Sequence, residues 1–330
     1  MNFQICICFV FILSFFNIKN SFAEEQNKNS SSAPQAQVLN KNKWYQGAFS
    51  SSLDYMYFSF QGTRPANENL YDFEDVTLNL QTFSLKYTPT VSPFVSYSLV
   101  ATNQEIYAET RFAIPGGSFL SKDLTNGLTD TLLKRSQVFL LPQQQVLVFE
   151  SGAYLPTGSI NERSEFPGAE SFNYPYNMQL GSGTFDPMLS LVYLKNIGSI
   201  HQLGGLGLAR IRTGEINRNG YHLGNDWTAG VWYSLLVNKY ITPMLKLNYR
   251  SIEGLVGGDS LIPNINKAMD FYFNTRSVWD VTPMVTAKIP ISNHINLNAM
   301  IAIPVWQKFS NIDDVELSTQ WYGQLGLSYQ

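Results

Sequence analysis

The sequence predicts an all-β fold, namely a transmembrane antiparallel up-and-down β-barrel of about twelve strands. Three observations support this: an export signal, a sparsely charged composition, and segments in which apolar and polar residues alternate. Charged residues make up 14% of the chain and aromatic residues another 14%, whereas soluble domains carry about 25% charged residues. A barrel with a lipid-covered exterior needs few charges. Ten or fourteen strands and a soluble β-sandwich are the alternatives, and a sandwich does not explain the uncharged outer faces.

Residues 1–23 have the features of a cleaved export signal. The apolar run Ile5–Phe16 is shorter than the roughly 20 residues that a membrane-spanning helix needs, and the small-x-small residues 21–23 form a signal peptidase site. Cys6 and Cys8 both lie within this segment. We therefore expect an exported chain without disulfides or thiolate metal sites.

The remainder divides into a polar tail, residues 24–43, and the barrel, residues 44–330. The tail is rich in Asn, Ser, Gln and Lys, so we expect it to be disordered in the periplasm; a short plug in the lumen is the alternative. In the barrel, short and long links interleave, as in barrels with tight periplasmic turns and long external loops. Short links are predicted near 88–93, 141–144, 196–199, 238–241 and 290–294, and long ones near 61–75, 104–127, 156–177, 213–226, 252–277 and 307–315.

Alternation is clearest in the last third of the chain. Successive side chains of a strand point to opposite faces, and here the odd-numbered residues are apolar or aromatic. We expect these to face lipid and the even-numbered residues to face a polar interior. The segments are Trp227–Val237, Pro243–Arg250, Trp279–Ile289, Ile295–Val305 and Leu317–Tyr329. The first strand, 44–60, and the segment 131–140 alternate less regularly.

A glycine-rich constellation occupies the middle of the chain. Residues 126–130 are predicted to begin a strand, Leu155–Gly158 reads Leu-Pro-Thr-Gly at a strand end, and residues 178–186 are predicted to open another strand. Pro156 cannot donate to a ladder and so ends its strand. Gly181 and Gly183 leave one face bare, which gives room for a tight bend or an inward-folded loop. We expect Asp186 to cap a turn.

This constellation, Leu-Pro-Thr-Gly followed by Gln-Leu-Gly-Ser-Gly-Thr-Phe-Asp at 179–186, resembles the outer-membrane transporter family named for the meta-cleavage pathway of phenol degradation. The resemblance covers residues 127–211. It implies a barrel that passes small, often aromatic or hydrophobic, molecules across the outer membrane.

Charged residues predicted to face inward are the first candidate functional set. Charges inside a barrel must be paired or hydrated. Two interpretations stay open: a salt-bridge network that fills a narrow lumen, or a solute path whose cations favour anions. The set consists of Glu150, Arg210, Arg212, Lys246, Arg250, Asp280 and Lys288.

Aromatic residues in two predicted external loops are the second candidate set. They form either an interfacial girdle, where aromatic rings prefer to lie, or an apolar docking site for solute at the mouth. The set consists of Phe166, Phe172, Tyr174, Tyr176, Phe271, Tyr272 and Phe273.

Catalysis is not expected. A barrel hydrolase would need a serine activated by a histidine near the outer rim. His201 and His294 lie at predicted periplasmic turns, and His222 lies in an external loop without a serine signature. No phosphate loop or zinc spacing occurs, so neither a cofactor nor a metal is expected.

Together these features predict a porin-like barrel in the outer membrane of a Gram-negative bacterium, passing small molecules passively. A non-transporting structural or adhesive barrel is the alternative, and an outer-membrane hydrolase the second. Expected partners are membrane lipid and lipopolysaccharide, a small solute, and the barrel assembly machinery through the C-terminal strand, but not nucleic acid. That strand, ending in Tyr329 and Gln330, is expected to close the barrel against the strand at 49–60.

Overall fold

The computed structural model covers most of the predicted barrel. The predicted signal and tail lie outside the described residues. The structure describes residues 47–63, 71–90, 92–114, 117–164, 172–174, 176–213, 216–238, 240–260, 276–310 and 316–329.

The fold is a closed antiparallel barrel of twelve strands, which confirms the predicted class. Two strands, β4 and β11, are each interrupted once. The strands are β1 Gly47–Thr63, β2 Tyr71–Pro89, β3 Val95–Ile114, β4 Gly117–Leu128 and Thr131–Leu141, β5 Gln145–Leu155, β6 Asp186–Ile197, β7 His201–Arg210, β8 Asp226–Leu235, β9 Ile241–Ile252, β10 Arg276–Pro290, β11 Ile295–Ala302 and Trp306–Phe309, and β12 Glu316–Tyr329.

Each strand pairs with its neighbours in sequence, and β12 returns to β1. Ser51 lies opposite Tyr329 and Leu53 opposite Leu327 in this closing ladder. The prediction that the terminal strand closes the barrel against residues 49–60 is therefore confirmed. Closure removes the free sheet edges that an open sheet of this size would present.

Five tight connections lie at one end of the barrel, and the long ones lie at the other end together with the short link between β3 and β4. We call the end with the five tight connections the turn mouth and the opposite end the loop mouth. One predicted link, 104–127, is wrong: β3 runs on to Ile114 and pairs directly with the start of β4, Ile114 opposite Gly117. In this ribbon both faces carry polar residues, for example Gln104 on the inward face and Glu105 on the outward face, so alternation does not mark it as strand.

The outer wall is apolar, as the alternation predicted. Trp227, Val231, Leu245, Val285 and Leu325 are exposed on it, while the even-numbered residues between them point inward. Lipid is the medium in which such a wall is stable. Within the described part of the chain, no helix has the length and apolar character to cross a membrane.

One stretch of β12 departs from the predicted alternation. Ser59 pairs with Trp321 but Phe60 with Thr319, so Gln320 is the extra residue of a β-bulge. A bulge shifts the two-residue period by one. Thr319, expected on the lipid face, is instead buried and its backbone bonds to the Gln307 side chain.

Candidate functional site: the barrel interior

The inner wall on the loop-mouth side of β1 and β2 is apolar. Met56 and Phe58 have no exposed surface, and Leu78 opposite Phe58 has none either. Residues from strands around the whole barrel join these side chains in one continuous cluster, the apolar layer. Besides β1 and β2 it includes Ile106, Leu132, Val148, Tyr154, Met188, Val192, Leu206, Leu208, Trp232, Met244, Met284, Met300 and Tyr322. The expectation of a polar interior is wrong at this level.

Methionine is unusually prominent in the apolar layer. Met56, Met188, Met244, Met284 and Met300 come from β1, β6, β9, β10 and β11, and all five are buried. An unbranched thioether side chain adapts its shape to whatever it contacts. The layer can therefore change its shape.

Aromatic rings complete the apolar layer. The rings of Phe58 and Tyr322 stack with centroids 5.2 Å apart. The Trp232 ring lies across the inner face of β7, where a Cβ on Gly204 would come within 2.1 Å of it. Gly204, which lies within β7, thus serves to admit a ring close to the backbone.

Sequence reasoning missed this layer for an identifiable reason. In β1 the inward residues Met56, Phe58 and Phe60 alternate with the outward apolar residues Leu53, Tyr55 and Tyr57. With both faces apolar, the two-residue period that marks an amphipathic strand vanishes. The signal available was a run of large apolar residues on both faces of one strand.

Toward the turn mouth the inward face becomes polar. Ser52 lies opposite Ser84, and Lys86 opposite Ser50. These side chains are half-exposed, so the lumen is open to solvent here. We call the half-exposed set Ser50, Ser52, Ser84, Lys86, Asn296 and Asn298 the vestibule.

Several charges of the first candidate set pair with other inward charges. The Lys134 ammonium donates to Glu150 Oε1 at 2.9 Å, and Ser136 donates to the same oxygen at 2.8 Å. Arg250 binds Asp226 through two parallel bonds, 2.9 Å from Nε and 2.5 Å from Nη2. Bidentate pairing of this kind is strong and geometrically specific.

Arg210 and Arg212 meet two carboxylates near the loop mouth. Arg210 Nη2 lies 2.6 Å from Asp186 Oδ2 and 3.1 Å from Asp130 Oδ2, while Arg212 also donates to Asp186. The Arg210 guanidinium carbon sits 3.9 Å from the Tyr154 ring centre. These four charges, which sum to zero, form a buried network.

The other three members of the first set are spread along β9 and β10. Lys246 is buried opposite Thr282. Asp280 accepts hydrogen bonds from Thr282 at 2.7 Å and Asn248 at 3.2 Å. Lys288 is half-buried near the turn mouth. The structure thus divides the predicted set between a compact network and scattered inward positions.

The glycine-rich constellation builds a lid over part of the loop mouth. Asp130 sits in the break of β4 and accepts bonds from Gly158 N at 3.2 Å and from Ser182 N and Oγ at 2.9 and 2.7 Å. A Cβ on Gly181 would lie 2.4 Å from the Gly158 carbonyl oxygen. The described part of residues 156–185, which we call the cap, is thereby tied to the wall.

Two predictions about this constellation are corrected. Residues 126–130 do not begin a strand but span the interruption of β4, and residues 178–185 precede β6, which starts at Asp186. The break lets the Asp130 carboxylate reach the cap instead of continuing the ladder. Gly183 has a φ of 69°, a conformation that glycine adopts without strain.

The second candidate set is only partly described. Tyr174 and Tyr176 are buried, so the girdle interpretation is wrong for these two. The Tyr176 ring meets Tyr221 edge-on at 4.4 Å, and its hydroxyl accepts from Asp259 N at 2.7 Å. Phe172 lies in a two-residue ladder with Ser164. Phe166, Phe271, Tyr272 and Phe273 lie outside the described residues.

Comparison with solved structures shows the fold. The COG4313 outer membrane channel from Pseudomonas putida F1 superposes with a TM-score of 0.55 at 12% identity, covering 89% of this chain and 99% of that one. The transport unit of the autotransporter AIDA-I from Escherichia coli gives 0.47 at 11% identity, covering 89% and 93%. A FadL homologue from Pseudomonas aeruginosa gives 0.39 at 9%, covering 85% and 90%. No family model and no curated protein matches the sequence.

Proposed function

We propose that the chain forms an outer-membrane barrel through which small apolar molecules, including aromatic ones, pass passively. The observation that carries this is the apolar layer, with buried methionines on five strands. A hydrophilic solute would lose its hydrogen bonds to water on entering this layer. An apolar solute gains contacts with side chains that can move aside for it.

The location follows from the outer wall. Exposed apolar residues such as Val231 and Leu325 suit a barrel surrounded by lipid on all sides. In such barrels the tight turns face the periplasm, so the loop mouth would face the medium and meet lipopolysaccharide. The Pseudomonas putida protein of similar fold is an outer membrane channel, which is consistent with this proposal.

The anion-selective path receives less support than the apolar one. Arg210, Arg212 and Arg250 each face carboxylates within the barrel. Cations neutralised in this way attract mobile anions weakly. We therefore assign these three arginines to holding the cap and the wall at the loop mouth.

A matched pair of β11 variants tests the apolar path. Met300 belongs to the apolar layer and Asn298, one inward position nearer the turn mouth, to the vestibule. Met300→Lys should slow passage of the apolar dye N-phenyl-naphthylamine through outer membranes about tenfold, because the dye must then pass a charge. Asn298→Lys should leave the rate near that of the unaltered barrel.

Assembly of both variants is checked by the shift in gel mobility on heating. Equal rates for Met300→Lys and the unaltered barrel would reject the apolar path. If the unaltered barrel passes neither dye nor ions, the non-transporting structural or adhesive alternative stands instead.

A further inference from the structure

One cation interrupts the apolar outer wall away from both mouths. Arg135 lies near the middle of the β4 segment Thr131–Leu141 and is exposed, on the face opposite the inward Leu132 and Ser136. Of the outward charges on described side chains, Lys195 lies near the turn mouth. The others, Glu105, Glu109, Lys122, Glu253 and Lys308, lie toward the loop mouth.

The surroundings of Arg135 are those of lipid-facing wall. Its cross-strand partners are Tyr97, which is exposed, and Ser151. Leu133 precedes it on the same face, and Phe149 lies beside Gln137 on the neighbouring strand. A charged group among exposed apolar side chains in a membrane must find a polar partner.

The guanidinium points toward the turn mouth. Arg135 Nη2 donates to Gln137 Oε1 at 3.0 Å, and Gln137 is the next outward position in that direction. With a rise of about 3.3 Å per residue and a tilt of about 40°, the Arg135 Cα stands about 15 Å above the turn after Leu141. An arginine side chain extended downward from there reaches the lipid headgroup region.

We propose that Arg135 and Gln137 form a binding site for the phosphate of a phospholipid in the membrane leaflet on the turn-mouth side. A guanidinium offers five donors in a planar fork that matches two phosphate oxygens. One of these donors is used by Gln137. The exposed Leu133 and Tyr97 supply apolar surface for an acyl chain.

A lipid fits this site better than a second copy of the barrel does. Copies in one membrane share the same orientation, so a partner would present its wall to Arg135 at the same height. The outward carboxylates Glu105 and Glu109 lie toward the loop mouth, too high to meet it. Phosphate groups, by contrast, occur all along the leaflet that the guanidinium faces.

Native mass spectrometry of the full chain in detergent tests the site, with phosphatidylglycerol and diacylglycerol as probes. The barrel should retain phosphatidylglycerol and not diacylglycerol, which lacks the phosphate. Arg135→Gln should weaken retention about tenfold, the effect of losing one charge-assisted pair. Lys195→Gln, which removes an outward cation near the turn mouth, should retain the lipid like the unaltered barrel.

Three outcomes would overturn the proposal. Equal losses in Arg135→Gln and Lys195→Gln would show unspecific attraction to cations, and equal retention of diacylglycerol would show that the phosphate is not recognised. Dimers that disappear in Arg135→Gln would assign the residue to contact between copies. Gln is less costly than Arg on a lipid-facing wall, so the variant barrel should assemble, which heat-dependent gel mobility verifies.

Discussion

The neighbouring strands β1 and β12 both carry an apolar outer face, but they present different side chains to the barrel interior. From Gly323 onward, β12 places Leu325 and Leu327 outside and the polar or small Gln324, Gly326 and Ser328 inside. On β1, residues 53–58 are apolar on both faces except at Asp54. A strand with one apolar and one polar face shows a two-residue alternation in its sequence. A strand that faces lipid on one side and an apolar lumen on the other shows no such alternation.

The largest expected effect comes from placing one charge on each strand of this pair. Met56 and Gln324 are directly opposite, both inward. Met56→Lys buries an ammonium in the apolar layer and should lower the free energy of unfolding by roughly 3–5 kcal/mol. Gln324→Lys should cost far less, because Gln324 Nε2 already bonds the Asp54 carboxylate at 2.9 Å, and a lysine can pair with it.

Urea unfolding of the refolded barrels, followed by tryptophan fluorescence, measures both changes. Similar losses in the two variants would mean that the interiors of β1 and β12 do not differ in the way described.

An intermediate effect is expected where the cap joins the wall. Asp130→Ala removes the acceptor for Gly158, Ser182 and Arg210 and leaves buried donors unpaired, at a cost of roughly 2–3 kcal/mol. Amide hydrogen exchange at Ser182 and Thr184 should accelerate. Asp226→Ala breaks the pair with Arg250, which does not involve the cap, so it should leave those amides protected; acceleration in both variants would contradict the assignment.

The smallest expected effect is the difference in stability between alanine substitutions at two glycines, Gly181 and Gly207. A Cβ at Gly181 would strike the Gly158 backbone, whereas at Gly207 it would meet nothing within 4 Å. Gly181→Ala should therefore destabilise the cap by about 1–3 kcal/mol, and Gly207→Ala should change stability by less than about 0.5 kcal/mol. Thermal unfolding of both variants measures these changes. An unchanged stability in Gly181→Ala would show that the cap does not pack against the Gly158 backbone.

The sequence predicts the frame of this molecule better than its interior. The strand count, the closing pair and the outward rows follow from the two-residue period, since segments such as Trp227–Leu235 separate a lipid face from an inward face. That period carries no information about a bulge such as Gln320, because one extra residue leaves composition unchanged. It also cannot place the cap, since the bond between Asp130 and Ser182 joins residues far apart in the chain.

The sequence likewise predicts one of the candidate sites in part and misses the other. Inward charges such as Arg250 were predicted because they lie on the face opposite an apolar row. Their partners, such as Asp226, come from neighbouring strands, and register alone decides the pairing. The apolar layer was missed because Phe58 or Met244 in a strand looks the same whether it faces lipid or lumen. Only closure of the barrel distinguishes the two faces.

The most direct test of an apolar path is to observe solute at the five methionines that the β-strands contribute to the apolar layer. Methyl-labelled methionine gives NMR signals for Met56, Met188, Met244, Met284 and Met300, all buried inside the barrel. Titration with naphthalene should shift these signals and saturate, whereas naphthalene disulfonate should leave them in place. Unmoved signals with naphthalene, or equal shifts with both compounds, would contradict the account.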